Sequence, residues 1–217
     1  MIENKIYVKV CGLNSPENVE QLQNLPIDYF GYVFHAPSKR YAGSEGITNS
    51  RLFSVNGNRT GVFVNAEAEK IKATARQCRL SHIQLHGNEP PSFCQALKNS
   101  ELRVIKSFRV DADFDFEACS GYVSVCDFFL FDTMGKLPGG NGKKFSWDIL
   151  DRYRGPVPFF LSGGICPGDE ERIAKFEHPF FYGIDLNSRF EDAPGIKNCV
   201  KLSNFLTRLH SFITNNA

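Results

Sequence analysis

The feature that most restricts the fold of this chain is a series of short apolar runs, most of them followed by a helix signal. The runs are rich in Val, Ile, Phe and Tyr, and eight are found: "IYVKVC" (6–11), "YFGYVF" (29–34), "RTGVFVN" (59–65), "HIQLHG" (82–87), "RVIKSFRV" (103–110), "FFLFDT" (128–133), "PFFLSGG" (158–164) and "FYGIDLN" (181–187). Such runs are typical of buried strands. Strands that alternate with helices imply right-handed crossovers and a parallel sheet. We therefore predict an α/β fold, a (β/α)₈ TIM barrel, with a doubly wound open sheet as the alternative.

Helix starts lie in the loops after several of these runs. Ser15 offers an N-cap and Pro16 suits the first helical position. Further starts are predicted at Asn65, at Asn88 or Glu89, at Ser146, at Pro167-Gly168-Asp169 and at Pro194, which precedes a long amphipathic stretch. The segments 41–58 and 111–126 lack a clean helical period. We expect short or irregular helices there, after strands 2 and 5.

Composition narrows the function classes. The net charge of +1 gives no broad attraction to nucleic acid or to an anionic membrane. No apolar run is long enough to span a bilayer, and the N-terminus passes directly into a strand pattern instead of a signal peptide. The seven cysteines are odd in number and form no CxxC pair, which favours reduced thiols in the cytoplasm over disulfides or a metal site. No linker divides the chain, so a single domain over residues 1–217 is expected.

Polar residues at the strand ends are the candidates for function, because barrels of this kind build their active sites there. The candidates are Cys11, Asn65, His86, Arg109, Asp132, Gly163, Gly164, Asn187 and Ser188, with Arg40 in the loop after strand 2. Side chains alternate along a strand, so Lys9 and Cys11 share one face, as do Leu130 and Asp132. If both faces point inward, a thiol and a carboxyl face each other across the barrel mouth, as a base and an acid would.

Each of these signals also has an ordinary structural explanation. A lone cysteine in a strand is usually a small buried hydrophobe, and an Asp-Thr or Gly-Gly pair after a strand is usually a turn. The glycines gain meaning together, because "LSGGIC" and "NSRFEDAPG" follow strands 7 and 8, where such barrels bind phosphate. Lys143 and Lys144 in the loop after strand 6 either assist phosphate binding or belong to a solvated basic loop.

Seven motifs taken in order resemble the phosphoribosylanthranilate isomerase family of tryptophan biosynthesis. They are "KVCG", "GYVFHAPSKRY", "GVFVN", "IQLHGNE", "FDT…PGGNGKKFSW", "LSGGICP" and "GIDLNSRFEDAPGIKN". The resemblance implies a (β/α)₈ barrel and an Amadori rearrangement of N-(5-phosphoribosyl)anthranilate, without metal or organic cofactor. It implies a small phosphorylated substrate as the partner, and a monomer or homodimer is expected.

The resemblance also implies roles for individual residues. Cys11 would be the general base and Asp132 the general acid, while Arg40 would bind the anthranilate carboxylate. The backbone of Gly163 and Gly164 and the loop with Asn187 and Ser188 would hold the phosphate, and His86 would lie at the rim. Two positions, Lys39 and Asn141, and one segment, Asn187-Ser188-Arg189, depart from the family pattern. The last departure puts side-chain contacts to phosphate from Asn187 and Arg189 in doubt.

The implied chemistry sets demands on the acid and the base. Asp132 must carry a proton and Cys11 must lose one, so we expect a raised Asp132 pKa and a lowered Cys11 pKa against ordinary values of about 3.9 and 8.5. Lys9 is placed to stabilise the thiolate. We expect Lys9 mainly to pair with Asp185 inside the barrel, because strands 1 and 8 are neighbours at closure and a buried charge needs a partner.

Two other functions are weighed against this one. The related isomerase of histidine biosynthesis has an aspartate at the end of strand 1, where this chain has Cys11. A non-catalytic phosphate-binding barrel with a regulatory role is the second alternative. The presence of both Cys11 and Asp132 argues against that alternative.

Overall fold

Eight parallel strands form a closed barrel in the computed structural model, which describes residues 5–43, 50–98, 100–133 and 147–215. The strands are β1 Tyr7–Cys11, β2 Tyr29–Val33, β3 Asn58–Phe63, β4 His82–Leu85, β5 Arg103–Arg109, β6 Phe128–Asp132, β7 Phe159–Ser162 and β8 Phe181–Leu186. Each strand pairs with the next, and β1 pairs with β8 to close the ring. The predicted TIM barrel is confirmed, and the open-sheet alternative is wrong.

Helices connect the strands around the outside of the barrel. The α-helices are α1 Pro16–Leu22, α2 Ala68–Gln77, α3 Pro91–Lys98, α4 Glu170–Ala174 and α5 Cys199–Asn215. The connections after β2, β5 and β6 contain 3₁₀ helices at Ser50–Phe53, Phe116–Tyr122 and Trp147–Arg152. The irregular segments expected after strands 2 and 5 are confirmed, and the one after β6 was not expected. Ser146, Lys143 and Lys144 lie outside the described residues.

The predicted start of α1 is confirmed. The Ser15 side chain accepts a hydrogen bond from the Asn18 amide at 3.2 Å, and Pro16 occupies the first helical position. This cap satisfies one of the backbone donors that every helix leaves open at its N-terminus.

Two other predicted helix starts are wrong. Asn65 does not cap α2, which begins at Ala68; its backbone takes a positive φ of 49°, and its side chain accepts from the Asn88 amide instead. No helix begins at Pro194, because Glu191–Ala193 (β9) and Ile196–Lys197 (β10) form a small antiparallel hairpin. Gly195 turns this hairpin with a φ of +92°, which glycine adopts without strain.

Aromatic side chains fill the barrel at the N-terminal ends of its strands. The hydroxyl groups of Tyr29 and Tyr182 are hydrogen-bonded at 2.7 Å. The Tyr7 ring stacks on the Tyr182 ring, with 4.2 Å between the ring centroids. Phe128 and Phe160 pack in the same layer. This layer closes the lower end of the barrel, and the buried His82 ring packs within it against Tyr29 and Phe128. Within the described segments, no helix is long and apolar enough to cross a membrane.

Candidate active site

A buried ion pair lies inside the barrel where the ring closes. The Lys9 ammonium donates to the Asp185 carboxylate at 2.9 Å, and the Lys9 side chain is fully buried. The two residues are register partners on β1 and β8, so the expected pairing is confirmed. Burial works against a charged ammonium, but the Asp185 carboxylate holds the pKa of Lys9 above its ordinary value.

Cys11 follows Lys9 on the same face of β1 and lies buried at the C-terminal end of that strand. The neighbouring strand makes room for it, because a Cβ at Gly31 would lie 2.8 Å from the Cys11 sulfur. Burial raises the pKa of the Cys11 thiol, although the nearby charges of Lys9 and Lys197 act to lower it. The sequence-based expectation of a lowered thiol pKa is therefore wrong for this structure.

Asp132 and His86 meet across the mouth of the barrel. The His86 Nε2 atom lies 3.9 Å from the Asp132 Oδ2 atom. The strands β4 and β6 that carry these two residues are not neighbours, because β5 lies between them. Side chains from such strands come this close only when both point into the barrel mouth. Burial lowers the pKa of His86, while the Asp132 carboxylate opposes the shift. The structure thus brings the predicted Asp132 and His86 together inside the ring that Cys11 also faces.

The His86 ring is held from below by a polar pair. The Gln84 amide nitrogen lies 3.1 Å from the His86 Nδ1 atom and donates to the Ser107 hydroxyl at 3.0 Å. An amide donor on Nδ1 leaves the proton of the neutral ring on Nε2, the nitrogen that faces Asp132. Gln84 is buried, and this supporting role was not predicted from the sequence.

The loop after β4, which carries His86, is fixed from outside the barrel. The Glu89 carboxylate accepts from the backbone amides of Gly87 and Asn65, and it pairs with the buried Lys106 ammonium at 3.0 Å. Asn65 therefore belongs to the support of this loop. Arg109, another predicted candidate, ends β5 with an exposed side chain.

Arg40 forms a bidentate ion pair with Glu191, a residue that was not predicted from the sequence. Its Nε atom donates to Glu191 Oε1 at 2.8 Å, and its Nη2 atom donates to Glu191 Oε2 at 2.6 Å. The Arg40 chain passes close over Gly12, where a Cβ would lie 2.6 Å from the Arg40 Cδ atom and 2.8 Å from the Asn187 amide oxygen. Gly12 also has a φ of +83°, so a glycine after Cys11 meets both a steric and a backbone requirement.

Lys197 connects Glu191 to the loop after β8. Its ammonium lies 2.6 Å from Glu191 Oε1 and 2.7 Å from the Asn187 side-chain oxygen, and its side chain is fully buried. Neither residue was predicted from the sequence, because Glu191 stood in the predicted loop after strand 8 and Lys197 in the helix predicted to begin at Pro194. The Pro194-Gly195 pair, a dipeptide that marks turns, was the available signal for a hairpin.

The glycine pair after β7 leaves an open backbone cradle. Gly163 and Gly164 have positive φ angles of 101° and 69°, and no atom lies within 4 Å of a Cβ built on Gly164. Among the described residues, no acceptor is found for the backbone N–H groups of Gly163 and Gly164. Free backbone amides at such a turn are the kind of donor that an anion requires.

Comparisons with known proteins agree with this geometry. The family model for N-(5'phosphoribosyl)anthranilate (PRA) isomerase matches residues 8–208. The N-(5'-phosphoribosyl)anthranilate isomerase of Parabacteroides distasonis is 42% identical over 206 residues, which cover 93% of this chain and 92% of that protein. The enzyme of the same name from Phocaeicola vulgatus is 41% identical, with 93% and 97% covered.

Solved structures agree as well. Phosphoribosyl anthranilate isomerase from Thermotoga maritima superposes with a TM-score of 0.80 at 31% identity, covering 95% of this chain and all of that one. A structure of phosphoribosyl anthranilate isomerase in complex with reduced 1-(o-carboxyphenylamino)-1-deoxyribulose 5-phosphate gives a TM-score of 0.79 at 29% identity, with 95% and 100% covered. A family model that spans nearly the whole chain, relatives that align almost end to end and a matching barrel lead to one conclusion: the chain belongs to the N-(5'-phosphoribosyl)anthranilate isomerase family.

Proposed function

We propose that Cys11 and Asp132 are the base and the acid with which this chain isomerises N-(5'-phosphoribosyl)anthranilate to 1-(2-carboxyphenylamino)-1-deoxyribulose 5-phosphate in tryptophan biosynthesis. Family membership carries the reaction itself. The observation that supports the two roles is their placement: Cys11 ends β1 above the Lys9–Asp185 pair, and Asp132 ends β6 facing His86 in the same mouth.

The rearrangement requires one proton to be delivered and one to be removed. Asp132 gives its proton to the ring oxygen of the sugar, which opens the ring to an iminium ion. The Cys11 thiolate then takes the proton from C2′, and the resulting enolamine tautomerises to the ketone. Each transfer is ordinary general acid–base chemistry, so the residues need only be held in reach of the two atoms.

The cations around Cys11 favour the thiolate that this mechanism needs. Burial alone disfavours a charged sulfur, as the raised pKa of Cys11 shows, while Lys9 and Lys197 supply opposing positive charge. Lys9 is itself held in place by Asp185. The mechanism thus depends on a local positive field beneath and beside the sulfur.

The two ends of the substrate have separate contacts in this proposal. Arg40 binds the anthranilate carboxylate, because its planar fork matches a carboxylate group. The backbone amides of Gly163, Gly164 and Ser188 bind the phosphate. Asn187 contributes through its backbone, since its side-chain oxygen already accepts from Lys197. His86, at the rim, orients the Asp132 carboxylate through its Nε2–H group.

We further infer the setting in which the chain works. A single domain over residues 1–217 is expected, because pairing of β1 with β8 closes the barrel between its first and last strands. Seven free cysteines favour a reducing cytoplasm. A monomer or a homodimer remains the expected assembly, and the related isomerase of Thermotoga maritima is described as dimeric.

The test is a fluorescence assay with freshly prepared N-(5'-phosphoribosyl)anthranilate, whose anthranilate signal disappears as product forms. Cys11→Ser should lower kcat by about two to four decades, the usual contribution of one acid or base. Cys78→Ala, at the end of α2 on the outside of the barrel, is the matched control and should keep its kcat. Wild-type turnover in Cys11→Ser would refute the proposed role. A folded protein that binds phosphate without turnover would point instead to a non-catalytic barrel.

A further inference from the structure

We propose that Glu191 and Lys197 are positioning residues that fix the Arg40 guanidinium for the carboxylate of the substrate. The inference rests on the proposed role of Arg40. It assigns a task in substrate binding to the β9–β10 hairpin, which contributes neither the acid nor the base. The argument starts from the way in which Glu191 contacts the guanidinium.

Glu191 occupies one defined edge of the Arg40 side chain. Its two oxygens accept from Nε at 2.8 Å and from Nη2 at 2.6 Å, so the plane of the guanidinium is fixed. Nη1 is the nitrogen left over, and the described part of the chain offers it no hydrogen-bond acceptor. Because Nε and Nη2 are bound to Glu191, the end of the guanidinium that carries Nη1 is the part available to a ligand.

Glu191 is itself held firmly enough to act as a template. Its side chain is only 5% exposed, and it accepts from the Gly195 amide and from the Lys197 ammonium in addition to Arg40. Burial disfavours its charge, but the hydrogen bonds from Arg40 and Lys197 hold the pKa of Glu191 below its ordinary value. An ionised and immobile carboxylate removes the rotamer freedom that Arg40 would otherwise lose on binding substrate.

Lys197 keeps the cluster attractive to an anion. Arg40 bound to Glu191 alone would present a neutral pair, and the added ammonium leaves two cations against one anion. The same ammonium binds the Asn187 side chain, which packs against Gly12 next to Cys11. Lys197 therefore ties the Arg40 side of the mouth to the loop after β8, where the phosphate is proposed to bind.

The first test compares two neighbouring carboxylates of the hairpin. Glu191→Gln keeps the size of the side chain and removes its charge, whereas Asp192→Asn changes an exposed residue whose carboxylate accepts a hydrogen bond from the Asn198 side chain. Glu191→Gln should raise KM about ten- to a hundred-fold, the range for a lost charged hydrogen bond, with kcat within about threefold. Asp192→Asn should change neither. An unchanged KM in Glu191→Gln would overturn the proposal.

The second test asks whether Glu191 acts through Arg40. The probe is the reduced product analogue, prepared with and without its aromatic carboxylate. Glu191→Gln should weaken only the analogue that carries the carboxylate, and it should add no further loss in an Arg40→Ala background. Equal weakening of both analogues, or a full further loss without Arg40, would show a general structural role and refute the inference.

The outcomes separate this inference from the proposed role of Arg40. If Arg40→Ala leaves binding of the carboxylate analogue unchanged, the Arg40 role fails first. If Arg40→Ala weakens binding and Glu191→Gln does not, only the positioning inference fails. Glu191→Asp covers the case in which Glu191→Gln does not fold. It keeps a charge for Lys197 but shortens the reach to Arg40, and it should also raise KM for substrate; an unchanged KM would refute the inference.

Discussion

The Lys9 ammonium donates to the Asp185 carboxylate at 2.9 Å inside the barrel, two residues below Cys11 on β1. The pair joins the first and the last strand of the ring, so the same contact closes the barrel and places a positive charge beneath the proposed base. Both side chains are buried, and each compensates the charge of the other.

Removal of one partner of this pair should therefore be costly. Lys9→Met leaves Asp185 as an uncompensated buried charge, and we expect the free energy of unfolding to fall by about 3–5 kcal/mol. The double variant Lys9→Met/Asp185→Leu removes both charges and should lose less than the single variant. Urea denaturation measures both. A single variant as stable as the wild type would show that the pair does not hold the ring closed.

The same pair governs the reactivity of the Cys11 thiol. Burial raises the pKa of Cys11 and the Lys9 charge opposes that shift, so the thiolate forms as the pH rises above the ordinary cysteine range. We expect alkylation of Cys11 by iodoacetamide, followed by peptide mass spectrometry, to have a midpoint above that of a free cysteine peptide. Lys9→Met should move the midpoint higher still. A midpoint below the free peptide would contradict the balance of burial and charge described here.

The sequence was sufficient for the parts of the molecule that repeat or alternate. The eight apolar runs predict the eight strands, and period-two alternation places Lys9 beneath Cys11 and Leu130 beneath Asp132. Ser15 and Pro16 predict the start of α1 through a local capping rule. These features depend on neighbours along the chain, which a sequence displays directly.

The sequence was not sufficient where tertiary contacts decide. The contact between Arg40 and Glu191 joins residues 151 positions apart, and no local pattern announces it. Pro194 carried a helix-start signal, but the hairpin prevailed because buried Lys197 binds Glu191 and Asn187. The pKa of Cys11 was predicted in the wrong direction because its burial depends on the closed ring.

The role of Asp132 can be tested against a second aspartate on the same strand region. Asp132 ends β6 at the mouth, whereas Asp127 precedes β6 and accepts from the Val104 amide at 2.8 Å. Asp132→Asn should lower kcat by about two to four decades with little change in stability. Asp127→Asn should keep kcat and lose about 1–2 kcal/mol of stability. Steady-state kinetics and urea denaturation distinguish the two. The acid role would be lost if Asp132→Asn turned over normally.

The Gln84–His86 contact predicts a specific protonation state. The Gln84 amide donates to Nδ1 at 3.1 Å, so the neutral ring should carry its proton on Nε2, and burial should keep the His86 pKa below its ordinary value. Nitrogen-15 NMR of labelled histidine reports both the tautomer and the titration. Gln84→Glu replaces the donor by an acceptor. The proton should then move to Nδ1 and the pKa of His86 should rise, since the protonated ring gains a carboxylate partner.

His178 provides the internal control for this measurement. Its Nε2 lies 3.0 Å from the Tyr153 carbonyl, and its Nδ1 accepts from the Phe180 amide, so it should hold the Nε2–H tautomer in both proteins. Its spectrum should not change in Gln84→Glu. If His86 keeps its tautomer in that variant, Gln84 does not set the proton, and the Nε2–H group that faces Asp132 must be fixed by Asp132 itself.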